Sequence, residues 1–372
     1  MATLQTKPPP QRTVARQACP SPAGLVQKLP LYSAPKIFLI SPNPHQIEGL
    51  EKAWPNLEIF LSKPNPYFKK AQKKGYSINF LQLPQIKKTA LILRQPQVQQ
   101  KLKPGSRLLV FKNSLQITKL AQKNKWQILL SPAKFNQILE DKINFLKFAK
   151  KHQLPILPTK VLPCQKIQFQ KSLVIQTRQG HAGNSTFFVQ NQKSLSCLQK
   201  RIGEWPVKIT PYHKLPTFSL NLCVTTSQIF YTQPFYQITG DQNLNPNPGG
   251  SGGIDFDLAQ QILTPDLFTK IRKLAEQVGT ALQKINYRGI CGLDFLVDVK
   301  GENLFLLELN PRLVSNLGFL TQQQNLLKEI PLLTLHLAEF LKVKISKAKI
   351  PQCSQVCHGR FELKHSKFRG NQ

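Results

Sequence analysis

The segment that most constrains the fold lies at residues 294–312, where the sequence is DFLVDVKGENLFLLELNPR. Apolar, β-rich runs stand on both sides of residues 300–302, which is typical of two strands joined by a short loop that contains glycine. Closing the chain at this loop places Asp294 directly opposite Glu308, with their Cβ atoms roughly 4.5–5.5 Å apart. The sequence therefore predicts a β-hairpin that carries two carboxylates on one face.

Acids are scarce in this chain, so the carboxylate pair needs an explanation. Of 372 residues only 18 are acidic, yet residues 290–310 hold four acids, where an average window would hold about one. Asn310 continues the face of Asp294 and Glu308. Such oxygen ligands suit Mg²⁺, and substrate phosphates complete the coordination of this metal. An exposed turn whose acids face water is the alternative. The opposite face is predicted to enter a core through Phe295, Val297, Phe305, Leu307 and Leu309.

The net charge is strongly positive. The sequence contains 51 Lys and Arg against 18 Asp and Glu, a formal net charge of +33. A field of this sign attracts nucleotides, acidic metabolites, nucleic acids or membrane surfaces. The excess is spread over every segment and accompanies no RNA-recognition, zinc-finger or basic-region motif, so weak non-specific nucleic-acid binding is the most that it predicts. No run of 18 apolar residues exists, and no membrane span is predicted.

Cysteine usage and the terminal segments bear on the compartment. The seven cysteines are scattered and odd in number, which favours reduced thiols and a cytoplasmic protein. Residues 1–35 contain seven of the 29 prolines and no acid, which favours a disordered basic extension over a secretory signal. Residues 343–372 are predicted to be a basic tail, in which Cys353, Cys357 and His358 match no common zinc spacing.

Between these segments the pattern indicates regular secondary structure. Residues 36–130 are predicted to be a small α/β unit, because short apolar runs alternate there with helical spacing. A helix capped by Ser131 follows and is expected to end before Pro155. Three further elements are predicted: a helix near residues 193–202, a loop over residues 245–253, and a helix capped by Thr264 over residues 266–285.

A second candidate motif is the small-residue segment at residues 177–186, TRQGHAGNST, between two predicted antiparallel strands. Glycine lets backbone N–H groups approach an oxygen closely, as a phosphate-binding loop requires. Gly180 and Gly183 provide that approach, and Ser185 and Thr186 add hydroxyl donors. An ordinary flexible hairpin is the alternative.

The Asp-Phe pair at residue 294 and the Glu-Leu-Asn-Pro-Arg run that ends at Arg312 resemble the metal-binding signature of the ATP-grasp ligases. The Asp-Lys pair at residues 141–142 and the glycine loop precede the hairpin in the order found in that family. The resemblance implies an α/β (α+β) fold in which two lobes clamp a nucleotide after a small α/β domain. The implied division is residues 36–130 for the first domain and 131–342 for the ATP-grasp domain, whose lobes are residues 160–215 and 216–342.

The resemblance also implies ligands and residue roles. The implied cofactors are ATP and Mg²⁺ (or Mn²⁺), with the metal on Asp294, Glu308 and Asn310. Arg312 is expected to act catalytically by clamping the transferred phosphate or the substrate carboxylate, with a structural ion pair as the alternative. Lys142 is expected at the outer phosphates. The implied nucleotide site also contains Gln176, Arg178, Gly180, Gly183, Asn184, Ser185, Thr186, Thr210 and Tyr212.

Two positions depart from the family pattern. Gln176 stands where the strand before the glycine loop normally ends in lysine, and Thr210 stands where a hinge glutamate is usual. Arg178 and Lys171 are the candidate substitutes, although arginine and lysine differ in geometry. The implied activity is that of an ADP-forming ligase, which activates a small-molecule carboxylate as an acyl phosphate for attack by an amine. The alternative is a basic protein that keeps the scaffold and binds nucleic acid or nucleotide without turnover.

Overall fold

The computed structural model describes residues 36–180, 183–343 and 357–362. None of the helices in these ranges is both long enough and apolar enough to span a bilayer. The predicted extension at residues 1–35 lies outside them, as does Cys353. One parallel sheet and two antiparallel sheets, with helices between their strands, confirm the predicted α/β (α+β) class.

The first sheet is parallel, with strand order β3-β2-β1-β4-β5. Its strands are β1 Ile37–Ser41, β2 Leu57–Leu61, β3 Ser77–Phe80, β4 Arg107–Val110 and β5 Gln127–Ile128. Its helices are α1 Pro66–Lys73, α2 Thr89–Ile92, α3 Pro96–Lys101 and α4 Leu115–Lys123. Every residue of β1 and β2 is buried, as expected for a parallel sheet covered on both faces. Of the five strands, β3 has the weakest sequence signal, because its partly polar SINF segment lacks a continuous apolar run.

The single helix predicted from Ser131 is wrong. The chain forms a π-helix at Asn136–Glu140, and α5 then begins anew at Lys142–Lys151. The break occurs at Asp141, whose backbone is extended (φ −69°, ψ 115°) and whose Oδ1 accepts hydrogen bonds from the backbone N–H groups of the next turn. Asp141 is thus the N-cap of a new helix, and Lys142 stands at its first position.

The second sheet is antiparallel and has four strands in the order β6-β9-β7-β8. These are β6 Lys160–Pro163, β7 Leu173–Gln176, β8 Thr186–Val189 and β9 Pro206–Pro211, with α6 Gln192–Ile202 between the last two. The predicted hairpin around the glycine loop and the predicted helix are confirmed. Because β9 lies between β6 and β7, its Lys208 pairs with Gln176.

The third sheet is large and antiparallel. Its strands are β10 Thr217–Val224, β11 Ile229–Tyr231, β12 Phe235–Thr239, β13 Ser251–Asp255, β14 Gly289–Asp298, β15 Asn303–Asn310 and β16 Arg360–Glu362. Its helices are α7 Phe256–Ile262, α8 Pro265–Lys284, α9 Leu317–Leu326 and α10 Leu332–Phe340. The Thr264 cap of α8 is confirmed. Two predictions need correction: residues 251–253 belong to β13 rather than to a loop, and part of the predicted tail forms β16, which pairs with β13.

The hairpin of β14 and β15 confirms the predicted pairing of Asp294 with Glu308. The connecting loop is one residue longer than predicted, because Asp298 already faces Asn303. A β-bulge at Leu307 absorbs the difference, so that register is regained at the carboxylates. As a result Leu306 enters the core, whereas Phe305 and Leu307 are only half-buried, and their predicted place in the core was wrong.

Candidate active site

A cavity of about 560 Å³ lies between the second and third sheets. Ile156, Leu296 and Leu306 give one part of its wall an apolar character. Another part is charged, and is formed by Asp294, Glu308, Lys142, Lys208 and Arg312. The cavity therefore joins an apolar surface to a cluster of acids and cations.

Three polar side chains hold Asp294 in place. Its Oδ1 accepts hydrogen bonds from Ser219 on β10 and from Gln237 on β12, the latter at 2.6 Å. Its Oδ2 accepts the Asn310 amide at 2.9 Å. Burial and the facing charge of Glu308 raise the pKa of Asp294 to about 7. Ser219 and Gln237 could not be predicted from the sequence, because they come from other strands and have no local signal.

Glu308 is partly open, with 34% of its side chain exposed. Burial opposes its ionisation, but the Lys142 ammonium, 3.4 Å from Oε2, and a hydrogen bond with Asp294 hold the pKa of Glu308 below its usual value. Two facing acids thus carry a charge that a cation would stabilise. Among the described residues no group of three or more His, Cys, Asp and Glu side chains is arranged to hold a metal ion. The pair fits Mg²⁺, which takes one or two carboxylates plus phosphates.

Asn310 and Arg312 stand beside this pair. The Asn310 amide donates to Asp294, while its Oδ1 accepts from Arg312 Nη2 at 2.9 Å, so the predicted amide ligand turns its oxygen away from the carboxylates. Arg312 Nε also pairs with Glu140 at 3.2 Å, and its guanidinium lies 5.3 Å from the Phe111 ring centre. Both roles considered for Arg312 are compatible with this position at the edge of the cavity.

Two buried lysines approach the acids from the opposite wall. Lys142 is about 5% exposed and extends from the start of α5, with Nζ 3.5 Å from the Gly180 carbonyl. Lys208 on β9 is also 5% exposed, and its Nζ donates to the Leu307 carbonyl at 3.2 Å. Burial lowers the pKa of Lys208 to about 8. No role could be predicted for Lys208 from the sequence, because its place beside the acids depends on the order of the strands in the sheet.

The other predicted nucleotide residues divide into two groups. Gln176 lines the cavity and donates to the Thr186 hydroxyl at 3.1 Å. The cavity lining also includes Gly180, Gly183, Ser185, Thr186, Thr210 and Tyr212. Arg178 and Asn184 are not part of that lining. Arg178 Nε instead pairs with Asp141 at 2.8 Å, and Asn184 accepts a hydrogen bond from Asn247.

The glycine loop packs against the loop of residues 241–250. Gly183 has φ +81°, and a Cβ there would lie 2.5 Å from the Gly250 nitrogen. Two glycine-containing backbones thus meet at a distance that no side chain would permit. Within the predicted loop, His181 and Ala182 lie outside the described residues.

A second cavity of about 480 Å³ adjoins the first. The two share seven lining residues, among them Asp294, Glu308, Asn310 and Arg312. The second is also lined by Asn43 and Phe111, which follow β1 and β4, by residues of the large sheet, including Asn221, Phe235 and Ser251, and by Asn316 before α9. The carboxylates therefore stand where two cavities meet, an arrangement suited to a transfer between two ligands.

No protein-family model and no curated protein matches the sequence. Solved structures are similar, however. N5-carboxyaminoimidazole synthase from Aspergillus clavatus, in complex with ADP and 5-aminoimidazole ribonucleotide, is 10% identical, with a TM-score of 0.60 over 86% of this chain and 80% of that chain. The Staphylococcus aureus N5-carboxyaminoimidazole synthetase, complexed with ADP, is 14% identical, with a TM-score of 0.59 over 86% and 79%.

A carboxylase shows the same likeness. The biotin carboxylase domain of 2-oxoglutarate carboxylase from Hydrogenobacter thermophilus, in complex with MgADP, ADP and bicarbonate, is 12% identical, with a TM-score of 0.60 over 85% of this chain and 72% of that chain. At these identities the likeness shows the fold.

Proposed function

Because the chain has the ATP-grasp fold, we propose that it is an ATP- and Mg²⁺-dependent ligase. It would activate a small carboxylate as an acyl phosphate, with release of ADP, for attack by an amine. The observation that carries this proposal is the meeting of two facing carboxylates and two buried ammonium groups in one cavity.

The ligands of the similar structures support the proposal. All three contain ADP, one of them contains it as the magnesium salt, and the second compounds are an aminoimidazole and bicarbonate. The division of this chain at residues 36–130 and 131–342, with lobes at 160–215 and 216–342, is part of the same proposal. It is supported by the three separate sheets.

The nucleotide is proposed to lie in the first cavity. Its base suits the apolar wall around Ile156 and Leu296, next to Thr210 and Tyr212. Its phosphates suit the charged part, where Lys142 supplies positive charge and Ser185 adds a hydroxyl donor. The base is more stable against an apolar wall than in water. The attraction between the outer phosphates and the cations is stronger in the buried cavity than in bulk solvent.

Asp294 and Glu308 are proposed to hold Mg²⁺ (or Mn²⁺). When bound, the metal would neutralise charge on the phosphates as the phosphoryl group is transferred. Ser219 and Gln237 fix Asp294 before any ligand arrives, so the carboxylate does not need to be reoriented. Asn310 would join them only after its amide turns over, because Oδ1 faces Arg312 in this structure.

The reaction would take place where the two cavities join. An oxygen of the acid attacks the γ-phosphorus, and the bond from that phosphorus to the ADP oxygen breaks. The amine nitrogen then attacks the carbonyl carbon, phosphate leaves with the bonding electrons, and the nitrogen loses a proton. Arg312 lines both cavities and is proposed to stabilise the transferred phosphate or to orient the carboxylate.

The test is ADP release by the purified protein across pools of carboxylates and amines, with and without Mg²⁺, beside calorimetric titration with nucleotide. We expect release that requires Mg²⁺ and a carboxylate and rises with the matching amine. Failure to bind nucleotide would contradict the whole proposal. Binding of MgATP without ADP release across the pools would contradict ligase turnover alone.

A further inference from the structure

We propose that Lys208 binds the outer phosphates of the nucleotide and provides, from β9, the positive charge that Gln176 does not provide from β7. This inference rests on the proposed nucleotide site and assigns it a further binding residue. The ligand group concerned is the β- or γ-phosphate of a nucleoside di- or triphosphate.

The strand pairing brings the two positions together. Gln176 and Lys208 are directly paired residues of antiparallel strands, and both line the first cavity. Paired side chains project from the same face of a sheet, with Cβ atoms roughly 4.5–5.5 Å apart. A lysine on either strand therefore reaches the same part of the cavity. Its ammonium group can contact the same phosphate whether the lysine is at position 176 or at position 208.

The ammonium group of Lys208 has unused donors. An ammonium has three N–H groups. Among the described residues that of Lys208 has one hydrogen-bond acceptor, the Leu307 carbonyl at 3.2 Å, lies 5.9 Å from the Phe145 ring centre, and forms no ion pair with a carboxylate. Only 5% of the surface of Lys208 is exposed. A buried cation is costly unless an anion and further hydrogen bonds compensate it. A phosphate in the cavity would supply both.

The bulge in β15 brings this ammonium group close to the β14–β15 hairpin. Leu307 is the extra residue of the bulge, and its carbonyl accepts Lys208 immediately before Glu308. Lys142 reaches Glu308 from another side, with Nζ 3.4 Å from Oε2. The two ammonium groups thus flank the same carboxylate. If Glu308 binds the metal, phosphates that share this metal lie within reach of both.

A purely structural role is the competing explanation, in which Lys208 only ties β9 to the bulge. Lys208→Met separates the two, since it keeps much of the buried stem and removes the charge. Calorimetric titration of the full chain with AMP, ADP and ATP in Mg²⁺ would give the affinities. We expect ADP and ATP to bind about 10- to 100-fold more weakly, as for the loss of a hydrogen bond to a charged group, with AMP changed less than about threefold.

Three further variants complete this test. Lys160→Met removes the same charge from an exposed position in the same sheet, and it should leave all three affinities unchanged. The exchange Gln176→Lys with Lys208→Gln should restore ATP affinity to within about fivefold of the wild type, because the cation returns to the same space. Gln176→Lys alone should weaken ATP binding, because two ammonium groups would then compete for that space, and tighter binding would overturn the inference.

Equal losses for AMP and ATP in Lys208→Met, or no loss at all, would overturn the inference while leaving the proposed nucleotide site in place. A restored affinity in the exchanged variant cannot arise from a purely structural role at Lys208, and its absence would also overturn the inference. If the wild-type chain binds no nucleotide, both the proposed function and the inference about Lys208 are wrong.

Discussion

The two walls of the cavity are built in different ways. On the hairpin side, Asp294 receives hydrogen bonds from three neighbours, and alternate residues of β14 enter a large apolar core. On the glycine-loop side, β7 and β8 have four residues each, most of them half-buried, and the core beneath them is small. The acids are thus positioned by side chains, whereas the loop is positioned by close backbone contacts. Changes to the first wall should alter chemistry, and changes to the second should alter affinity.

The largest effect is expected at Glu308. Glu308→Gln keeps the shape but removes the charge proposed to hold the metal, so Mg²⁺-dependent ADP release should fall by about 1,000-fold or more. The melting temperature should stay close to that of the wild type. Asp298→Asn is the matched control, because Asp298 lies on the same hairpin and accepts from Gly301 away from both cavities. Full activity in Glu308→Gln would remove the hairpin from the proposed metal site.

The next effect concerns the support of the hairpin wall. His336 on α10 accepts a hydrogen bond from Ile290 N–H of β14 through Nδ1, and its Nε2 donates to the Leu129 carbonyl. Burial lowers the pKa of His336 to about 4. As pH falls below about 6.5 the unfolded chain takes up a proton that the folded chain refuses until about pH 4. Unfolding free energy should therefore fall by about 3 kcal/mol between pH 7 and pH 4 from this group alone.

Urea unfolding at the two pH values measures that loss. His336→Gln is the matched control, since an amide supplies a donor and an acceptor but does not titrate in this range. The wild type should lose about 3 kcal/mol more than the variant between pH 7 and pH 4. Equal losses would show that His336 does not limit the stability of this wall.

On the loop side, Gly183→Ala should weaken ATP binding by about 10-fold, because backbone strain and the clash with Gly250 would displace the loop. Gly203→Ala provides the control, since Gly203 also has a positive φ, +63°, but nothing lies within 4 Å of an added Cβ. It should lower stability, because alanine is strained in this backbone conformation, but leave ATP affinity unchanged. Equal ATP affinities of Gly183→Ala and the wild type would indicate that the contact between the two loops does not shape the phosphate site.

The smallest effect is expected at Arg178. Its guanidinium pairs with Asp141, and 43% of the side chain is exposed. Asp141 itself is buried, so the pair supports the start of α5, but Arg178 does not line the proposed nucleotide cavity. Arg178→Ala should therefore change ATP affinity by less than about threefold. A loss as large as that expected for Lys208→Met would indicate that Arg178 supplies the positive charge that Gln176 lacks.

The comparison of the two walls also explains what the sequence could predict. The pairing of Asp294 with Glu308 depends on a local hairpin, so alternation along the chain was sufficient, even though the loop length was wrong and a bulge restored the register. The position of Lys208 depends on which strand lies beside β7, and no local pattern specifies strand order. The break at Asp141 had a signal, the preference of aspartate for N-caps, but the apolar stripe continued across it.

A structure of the chain with Mg²⁺ and a non-hydrolysable ATP analogue tests the central claim most directly. We predict Mg²⁺ at about 2.1 Å from carboxylate oxygens of Asp294 and Glu308, the base against the apolar wall, and the outer phosphates beside Lys142 and Lys208. Nucleotide bound elsewhere, or a metal held by phosphates away from the β14–β15 hairpin, would contradict it.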